Sequence, residues 1–219
     1  MLEAVLWDLD GTLVDTEPYW IDTEFAMADR YGASWSREHA LNLVGNDLVE
    51  SGRYIRDQMG LEASAEEIVE ELLDGVVARV RESVPWRPGA VDLLTSLGAA
   101  GVPCGLVTMS YERFVAPILE RLPPESFRVI VTGDRVERGK PHPESYLTAA
   151  AALGVRPGAC VAIEDSNTGA ASAQAAGCTV LVVENHVTVE RAGLRVFRDS
   201  LVGLTVEDLR QLSAGAPGG

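Results

Sequence analysis

Ala4-Val5-Leu6-Trp7-Asp8-Leu9-Asp10-Gly11-Thr12 is the stretch on which the reading of the fold turns. Four apolar residues without polar alternation read as a strand buried on both faces, as in a parallel sheet. Two carboxylates one residue apart, Asp8 and Asp10, leave its C-terminal end, and Gly11 lets the chain turn away at once. In open α/β sheets ligands bind at that edge. Two acids so close repel each other, and a bound cation or a shared proton would relieve them. By itself the segment reads equally well as a solvated Asp-x-Asp-Gly turn, because Asp-Gly pairs are common turn formers.

The later strand ends break that tie. Apolar runs at Cys104–Val107, Val129–Val131, Cys160–Ile163 and Val180–Val183 are separated by helical stretches, which predicts an α/β fold with a doubly wound parallel sheet. The second run leads into Thr108-Met109-Ser110, two hydroxyls flanking a backbone N–H ahead of a helix. That arrangement suits a phosphate oxygen, or equally a helix capped by Ser110. After the third run comes Gly139-Lys140-Pro141, with the one lysine of a chain that carries 17 arginines. Pinned between glycine and proline, its compact charge can be aimed at phosphate and carboxylate oxygens together. The fourth run ends in Glu164-Asp165-Ser166, a second acidic pair. Four acids converging on one edge call for a hard cation. Mg²⁺ fits, since it takes oxygen ligands and needs few protein carboxylates. His39, His142 and His186 are isolated, which argues against zinc. Gly169-Ala170-Ala171-Ser172-Ala173 predicts a small-faced helix that packs close to the sheet.

Between the first two runs the chain is far longer than one crossover needs, and the insertion reads as all-helical. One helix is predicted over Pro18–Arg30, a second from near Ser36, and a third from near Asn46 as its N-cap. A fourth opens on the capping-box pattern Ser64-Ala65-Glu66-Glu67. Its residues Ile68, Leu72, Leu73, Val76, Val77 and Val80 form a stripe at helical spacing, read as bundle core. Val84-Pro85-Trp86-Arg87-Pro88-Gly89 is the return linker, and Ser213 to Gly219 reads as a disordered tail.

Composition narrows the class. With 219 residues, 47% of them apolar, the chain can build one large domain or a core with a smaller insertion. A net charge of −15 argues against nucleic acid or an anionic membrane surface as partner, and requires any phosphate site to be locally positive. No run of eighteen apolar residues predicts a membrane span, and the chain enters its first strand without a basic leader. Cys104, Cys160 and Cys178 are scattered beside apolar runs and read as buried thiols of a reducing cytoplasm. A cytoplasmic monomer or weak homodimer is expected.

In order along the chain, Asp8-Leu9-Asp10-Gly11-Thr12, Thr108 with Ser110, Gly139-Lys140-Pro141 and Glu164-Asp165-Ser166 resemble the four motifs of the haloacid dehalogenase-like (HAD) phosphohydrolases. The resemblance spans Leu2 to about Leu212. The insertion resembles the helical cap of the subgroup containing phosphoglycolate phosphatase, sugar-phosphate phosphatases and β-phosphoglucomutase. What this implies is a Rossmann-like core over 1–16 and 84–219, a cap over 17–83, and Mg²⁺-dependent hydrolysis of a small phosphorylated metabolite through an aspartyl-phosphate. Asp8 would be the nucleophile. Asp10 would protonate the leaving alcohol and then activate water, with its backbone carbonyl on the metal. Asp165 would join Asp8 as the main carboxylate ligand, and Glu164 would be a further ligand or the support of one. Thr108, the Met109 N–H, Ser110 and Lys140 would hold the phosphoryl oxygens. Asp15 and Thr16 begin the hinge and carry no chemistry.

The insertion holds 15 Asp and Glu against 6 Arg, which suits a small monophosphate with a neutral body, such as a sugar or polyol phosphate. Arg53 and Arg56 either reach that body or pair with nearby acids. Trp20 stands where the mutase members present a histidine, which favours hydrolysis over a phosphomutase. A non-enzymatic phosphoacceptor is the third reading, and the Asp-x-Asp-Gly-Thr order and the long insertion argue against it.

Overall fold

The computed structural model describes residues 1–44 and 46–215. Six parallel strands form one sheet: β1 (Ala4–Trp7), β2 (Cys104–Val107), β3 (Val129–Val131), β4 (Cys160–Glu164), β5 (Thr179–Val182) and β6 (Arg195–Phe197). The spatial order is β3-β2-β1-β4-β5-β6. Five of these strands lie on the apolar runs. The sixth, β6, has no such run, because its three residues are only half-buried beyond β5.

This order makes β1 the place where the winding reverses, since the chain goes from β1 outward through β2 and β3, then returns to start β4 on its other side. Crevices at such reversals are where open α/β sheets bind ligands. Register then brings the strand ends together. Trp7 lies beside Ile163 and Leu106, so Asp8 follows level with Glu164 and close to Thr108, which succeeds Val107. The helices α5 (Ala90–Ala99), α6 (Glu112–Leu119), α7 (Glu144–Leu153), α8 (Asn167–Ala175) and α9 (Val206–Gly215) cover the sheet. Helix α9 reaches three residues into the segment predicted as a disordered tail, because Leu209 and Ser213 are buried on it. The rest of that segment, 216–219, lies outside the described residues.

Residues between β1 and α5 form α1 (Glu17–Tyr31), α2 (Arg37–Leu41), α3 (Leu48–Met59) and α4 (Ala65–Glu82). Helix α2 is capped by Ser36, whose side chain accepts the His39 amide. The cap of α3 is Asp47 rather than Asn46: its Oδ1 accepts the amides of Val49 and Glu50, while the Asn46 side chain donates back to the Asn42 carbonyl. An aspartate there also meets the positive end of the helix dipole. Both halves of the Ser64–Glu67 capping box are made at the start of α4. The α4 stripe is buried throughout, packed among α1, α3 and α6. Arg113 of α6 ties this segment to the sheet layer by bridging Glu70 and Asp74 of α4.

The entering and returning chains of this helical segment are paired: the Asp15 amide donates to the Pro85 carbonyl, and the Arg87 amide to the Leu13 carbonyl. Side chains close the same joint. Asn185 donates to Asp15 and accepts from Arg87, and His186 also meets Asp15. No helix among the described residues is long and apolar enough to cross a membrane. Cys104, Cys160 and Cys178 are free and buried.

Candidate active site

Asp8 leaves β1 with its own amide donated to the Ile163 carbonyl, so the loop starts from a fixed point on the sheet. Gly11 takes φ +85°, and a Cβ there would fall 1.9 Å from Oδ2 of Asp165. Both the left-handed turn and the close approach therefore demand glycine. On the other strand, Gly169 opens α8 so near the sheet that a Cβ would fall 2.0 Å from the Glu164 carboxylate. The predicted small face of this helix is what lets Glu164 stay fully buried.

Lys140 joins the two strand ends. Its Nζ donates to Asp8 Oδ1 at 2.7 Å and to Glu164 Oε1 at 2.6 Å. The side chain is 3% exposed, so both ion pairs lie out of water. Burial alone would lower the lysine's pKa, but the charges of Asp8 and Glu164 outweigh it and hold the ammonium protonated. The loop that carries it is shaped from both sides. Glu144 accepts the amides of Glu137 and Arg138, and Met109 Sδ accepts the Lys140 amide at 3.1 Å.

Glu164 is saturated by this arrangement. Oε1 also accepts the Tyr146 hydroxyl at 2.6 Å, and Oε2 accepts from Ser166 at 3.3 Å. Burial and the Asp8 charge push its pKa up while Lys140 pulls it back. Tyr146 was not legible as a site residue: it sits two residues into α7 and reads there as core.

Asp165 is the opposite case. It is 3% exposed, and among the described residues no donor reaches its carboxylate. Burial, then the charges of Asp8 and Glu164, push its pKa well above the usual carboxylate range. One oxygen each of Asp8, Glu164 and Asp165 lie within 4.8 Å of one another. An unpartnered buried carboxylate beside two others fits a divalent cation with oxygen ligands. Since Glu164 already has its donors, the groups free to hold Mg²⁺ are Asp8, Asp165 and the Asp10 carbonyl, which accepts no hydrogen bond among the described residues.

Asp10 is held by a different set. Thr16 donates to its Oδ1, joined by Trp20 Nε1 at 3.4 Å. Ser110 donates to Oδ2 at 2.6 Å, with Thr108 at 3.5 Å. Removal from water pushes the Asp10 pKa up, against the lowering by Ser110 and Thr16, and the charge of Asp8 adds to the rise. Thr16, given no chemistry from the sequence, is thus a direct partner of Asp10. Ser110 serves the same carboxyl and does not cap α6: the N-cap position falls on Tyr111, which makes no capping bond, and Asp134 accepts the Glu112 amide. The amides of Leu9, Asp10 and Met109 find no acceptor among the described residues. They are available at this edge for an anion.

A cleft of about 770 Å³, counted with the solvent at its mouth, opens from these groups toward the helical segment. Its walls include Trp20, Glu17 and Glu24 of α1 and Leu43, Leu48 and Ile55 farther along. Among the described residues Lys140 is the sole basic side chain lining it. Arg53 and Arg56 do not reach it, being exposed and paired with Glu50 and Asp57.

A sheet of this order with acids, lysine and hydroxyls at its reversal defines the class, and sequence comparison agrees. The sequence model of the haloacid dehalogenase-like hydrolases matches residues 5–183, and the chain belongs to that family. Hexitol phosphatase A of Escherichia coli (strain K12) is 36% identical over 191 residues, covering 83% of this chain and 82% of its own length. CbbY from Rhodobacter sphaeroides, solved in complex with xylulose-1,5-bisphosphate, superposes with a TM-score of 0.87 at 29% identity, over 95% of this chain and 99% of that one. β-Phosphoglucomutase from Clostridium difficile superposes at 0.84 with 25% identity, over 98% of each chain.

Proposed function

We propose that the protein is a cytoplasmic Mg²⁺-dependent phosphatase that hydrolyses a small sugar or polyol monophosphate through an aspartyl-phosphate on Asp8. Residues 17–83 act as a cap over the core formed by 1–16 and 84–219. The observation that carries this reading is the separation of partners at the two aspartates. Asp8 is paired with a fixed cation through Oδ1, and no donor among the described residues reaches Oδ2. Asp10 accepts from Thr16 and Ser110, and burial together with the Asp8 charge raises its pKa against the pull of those donors. One is prepared to attack and the other to give a proton.

In the first step Asp8 Oδ2 forms a bond to phosphorus as the bond to the alcohol oxygen breaks, and Asp10 gives that oxygen its proton. In the second, Asp10, now a carboxylate, takes a proton from water. The water oxygen attacks phosphorus, and Asp8 leaves with its bonding pair as inorganic phosphate is released. Lys140 and the free amides of Leu9, Asp10 and Met109 offset charge on the phosphoryl oxygens. Thr108 and Ser110 keep the Asp10 carboxyl turned toward the leaving group. Glu164 and Tyr146 hold Lys140. Mg²⁺ bound by Asp8, Asp165 and the Asp10 carbonyl supplies charge neutralisation that lets a phosphate approach so many acids.

The cleft walls favour a monophosphate. A phosphomutase must retain a bisphosphorylated species while the phosphate migrates, and among the described residues no basic side chain beyond Lys140 lines the cleft to hold a second phosphate. The hexitol phosphatase relationship supports a polyol or sugar body. The test is release of inorganic phosphate from a panel of sugar and polyol phosphates with and without Mg²⁺, with products followed by phosphorus NMR. Free phosphate that appears only with the metal is expected. A migrated phosphate on the sugar would replace this reading by the mutase.

A further inference from the structure

The two sides of the cleft hold acids under different conditions. At the sheet edge each acid except Asp165 has a cation or a hydroxyl on it. On the side of the helical segment, one face of α1 places Glu17 and Glu24 in the wall of the cleft. Glu17 is 9% exposed, and among the described residues no donor reaches its carboxyl. Glu24 is 4% exposed; Trp35 Nε1 donates to its Oε2 at 3.0 Å, and no described donor reaches Oε1.

The free oxygens of Glu17 and Glu24 are not sealed: each keeps surface on the cleft while the rest of its side chain is buried, and packing alone gives no reason to place a carboxyl there. On the same helix Met27 and Ala28 show what it buries when only packing is at stake. The unused acceptors of Glu17 and Glu24 face a space left for something else. We propose that Glu17 and Glu24 determine substrate specificity by hydrogen bonding to hydroxyls along the polyhydroxylated body of a phosphomonoester whose phosphate lies at Lys140. The phosphate end of this placement rests on the phosphatase reading above.

Hydroxyls are favoured over an ammonium by the state of the acids. Burial first, then the charges of Glu24, Asp10 and Asp15, push Glu17 up to about 8, and burial pushes Glu24 up to about 7. A hydroxyl can donate to a carboxylate and accept from a carboxylic acid, so it satisfies either form. An ammonium satisfies only the ionised form.

The test measures binding, so it does not depend on turnover. Asp8→Asn protein with Mg²⁺ is titrated calorimetrically with a hexitol 6-phosphate and with propyl phosphate, which carries the same phosphate on a body without hydroxyls. Adding Glu17→Leu should weaken the hexitol phosphate at least about tenfold and propyl phosphate less than about twofold, as expected where a buried acceptor loses its hydroxyl. Adding Glu17→Gln instead, which keeps a hydrogen-bonding group in the same volume, should stay within about threefold for both ligands. Equal weakening of both by Glu17→Leu, or none, would overturn the proposal. So would tighter binding of glucosamine 6-phosphate than of glucose 6-phosphate by about tenfold or more, the pattern of an ammonium site. If selective weakening is seen but wild-type protein releases phosphate from no substrate, the specificity assignment stands and the phosphatase reading fails.

Discussion

The sheet edge and the inner face of α1 both bury carboxyl groups, yet they treat them in opposite ways. At the edge, Glu164 receives Lys140, Tyr146 and Ser166, and Asp8 shares the same lysine. On α1, Glu24 has one indole N–H and Glu17 has no described donor. The first arrangement is a fixed field of charge that the protein completes by itself, apart from the place left at Asp165. The second is a set of acceptors that the protein leaves open. A site that handles a charged phosphate needs the former, and a site that measures an uncharged body can use the latter. On the proposed reading, reaction and recognition are divided between two layers of the molecule.

The sharpest way to break that division is at Asp8. Asp8→Asn keeps the shape but removes the attacking oxygen's charge, and phosphate release should fall by about a thousandfold or more, as when a covalent nucleophile is lost. Binding of the substrate should survive, because Lys140 and the walls of the cleft remain. Retained turnover in a phosphate-release assay would remove the covalent step from Asp8. Next in size is Glu164→Gln. It leaves Lys140 buried with one carboxylate in place of two, and removing one partner of a buried pair costs on the order of 3–5 kcal/mol. We expect a lower melting temperature together with a loss of about 10- to 100-fold in kcat, since groups that orient a charged side chain typically act on that scale. A fall in stability with kcat unchanged would show that Glu164 supports the fold and not the lysine's position.

The two layers were also unequally legible in the sequence. The edge could be read because parallel strands are continuous apolar runs, and whatever follows each run must emerge at one side of the sheet. Asp8, Asp10, Lys140 and Asp165 are all placed by that rule. Their division of labour was less legible. Thr16 looked like hinge, because a short loop closing back onto Asp10 has no periodicity to betray it, and Ser110 looked like a phosphate ligand or a cap, because its bond to Asp10 is made across two strand ends 100 positions apart. Tyr146 follows the lysine loop, but its hydroxyl on Glu164 depends on how α7 lies against the sheet. Asp47 took the cap from its neighbour Asn46, a choice of one residue between two equally good cap formers. On α1, Glu17 and Glu24 are seven apart and fall on one helical face, but a sequence rich in acids does not say which of them are buried. Burial came from the packing of α1 on α4, a contact across the whole insertion.

The smallest expected effect is a pH dependence, and it separates the layers without any substrate. Glu24 has a folded-state pKa of about 7 against 4.5 for the free side chain, raised by burial and partly restrained by the Trp35 hydrogen bond. The folded protein therefore holds a proton that the unfolded chain gives up, and stability from this group is full below 4.5 and declines as pH rises to about 7. Above that value both states are ionised and the loss is constant. Glu24→Gln keeps an acceptor for Trp35 and carries no charge at any pH. Its melting temperature relative to wild type should therefore climb between pH 5 and 7 by a few degrees, about 2–4 °C for each kcal/mol in a chain of this size, and then level off. Thermal melts of the two proteins across that range check it. Because only the difference is read, groups titrating alike in both proteins cancel. At the edge the offset has the opposite sign: Glu164→Gln takes a partner from buried Lys140, so that variant should melt below wild type throughout the range. A flat difference for Glu24→Gln would mean that burial does not hold its carboxyl above the range of the free side chain, and the contrast between the two layers would disappear.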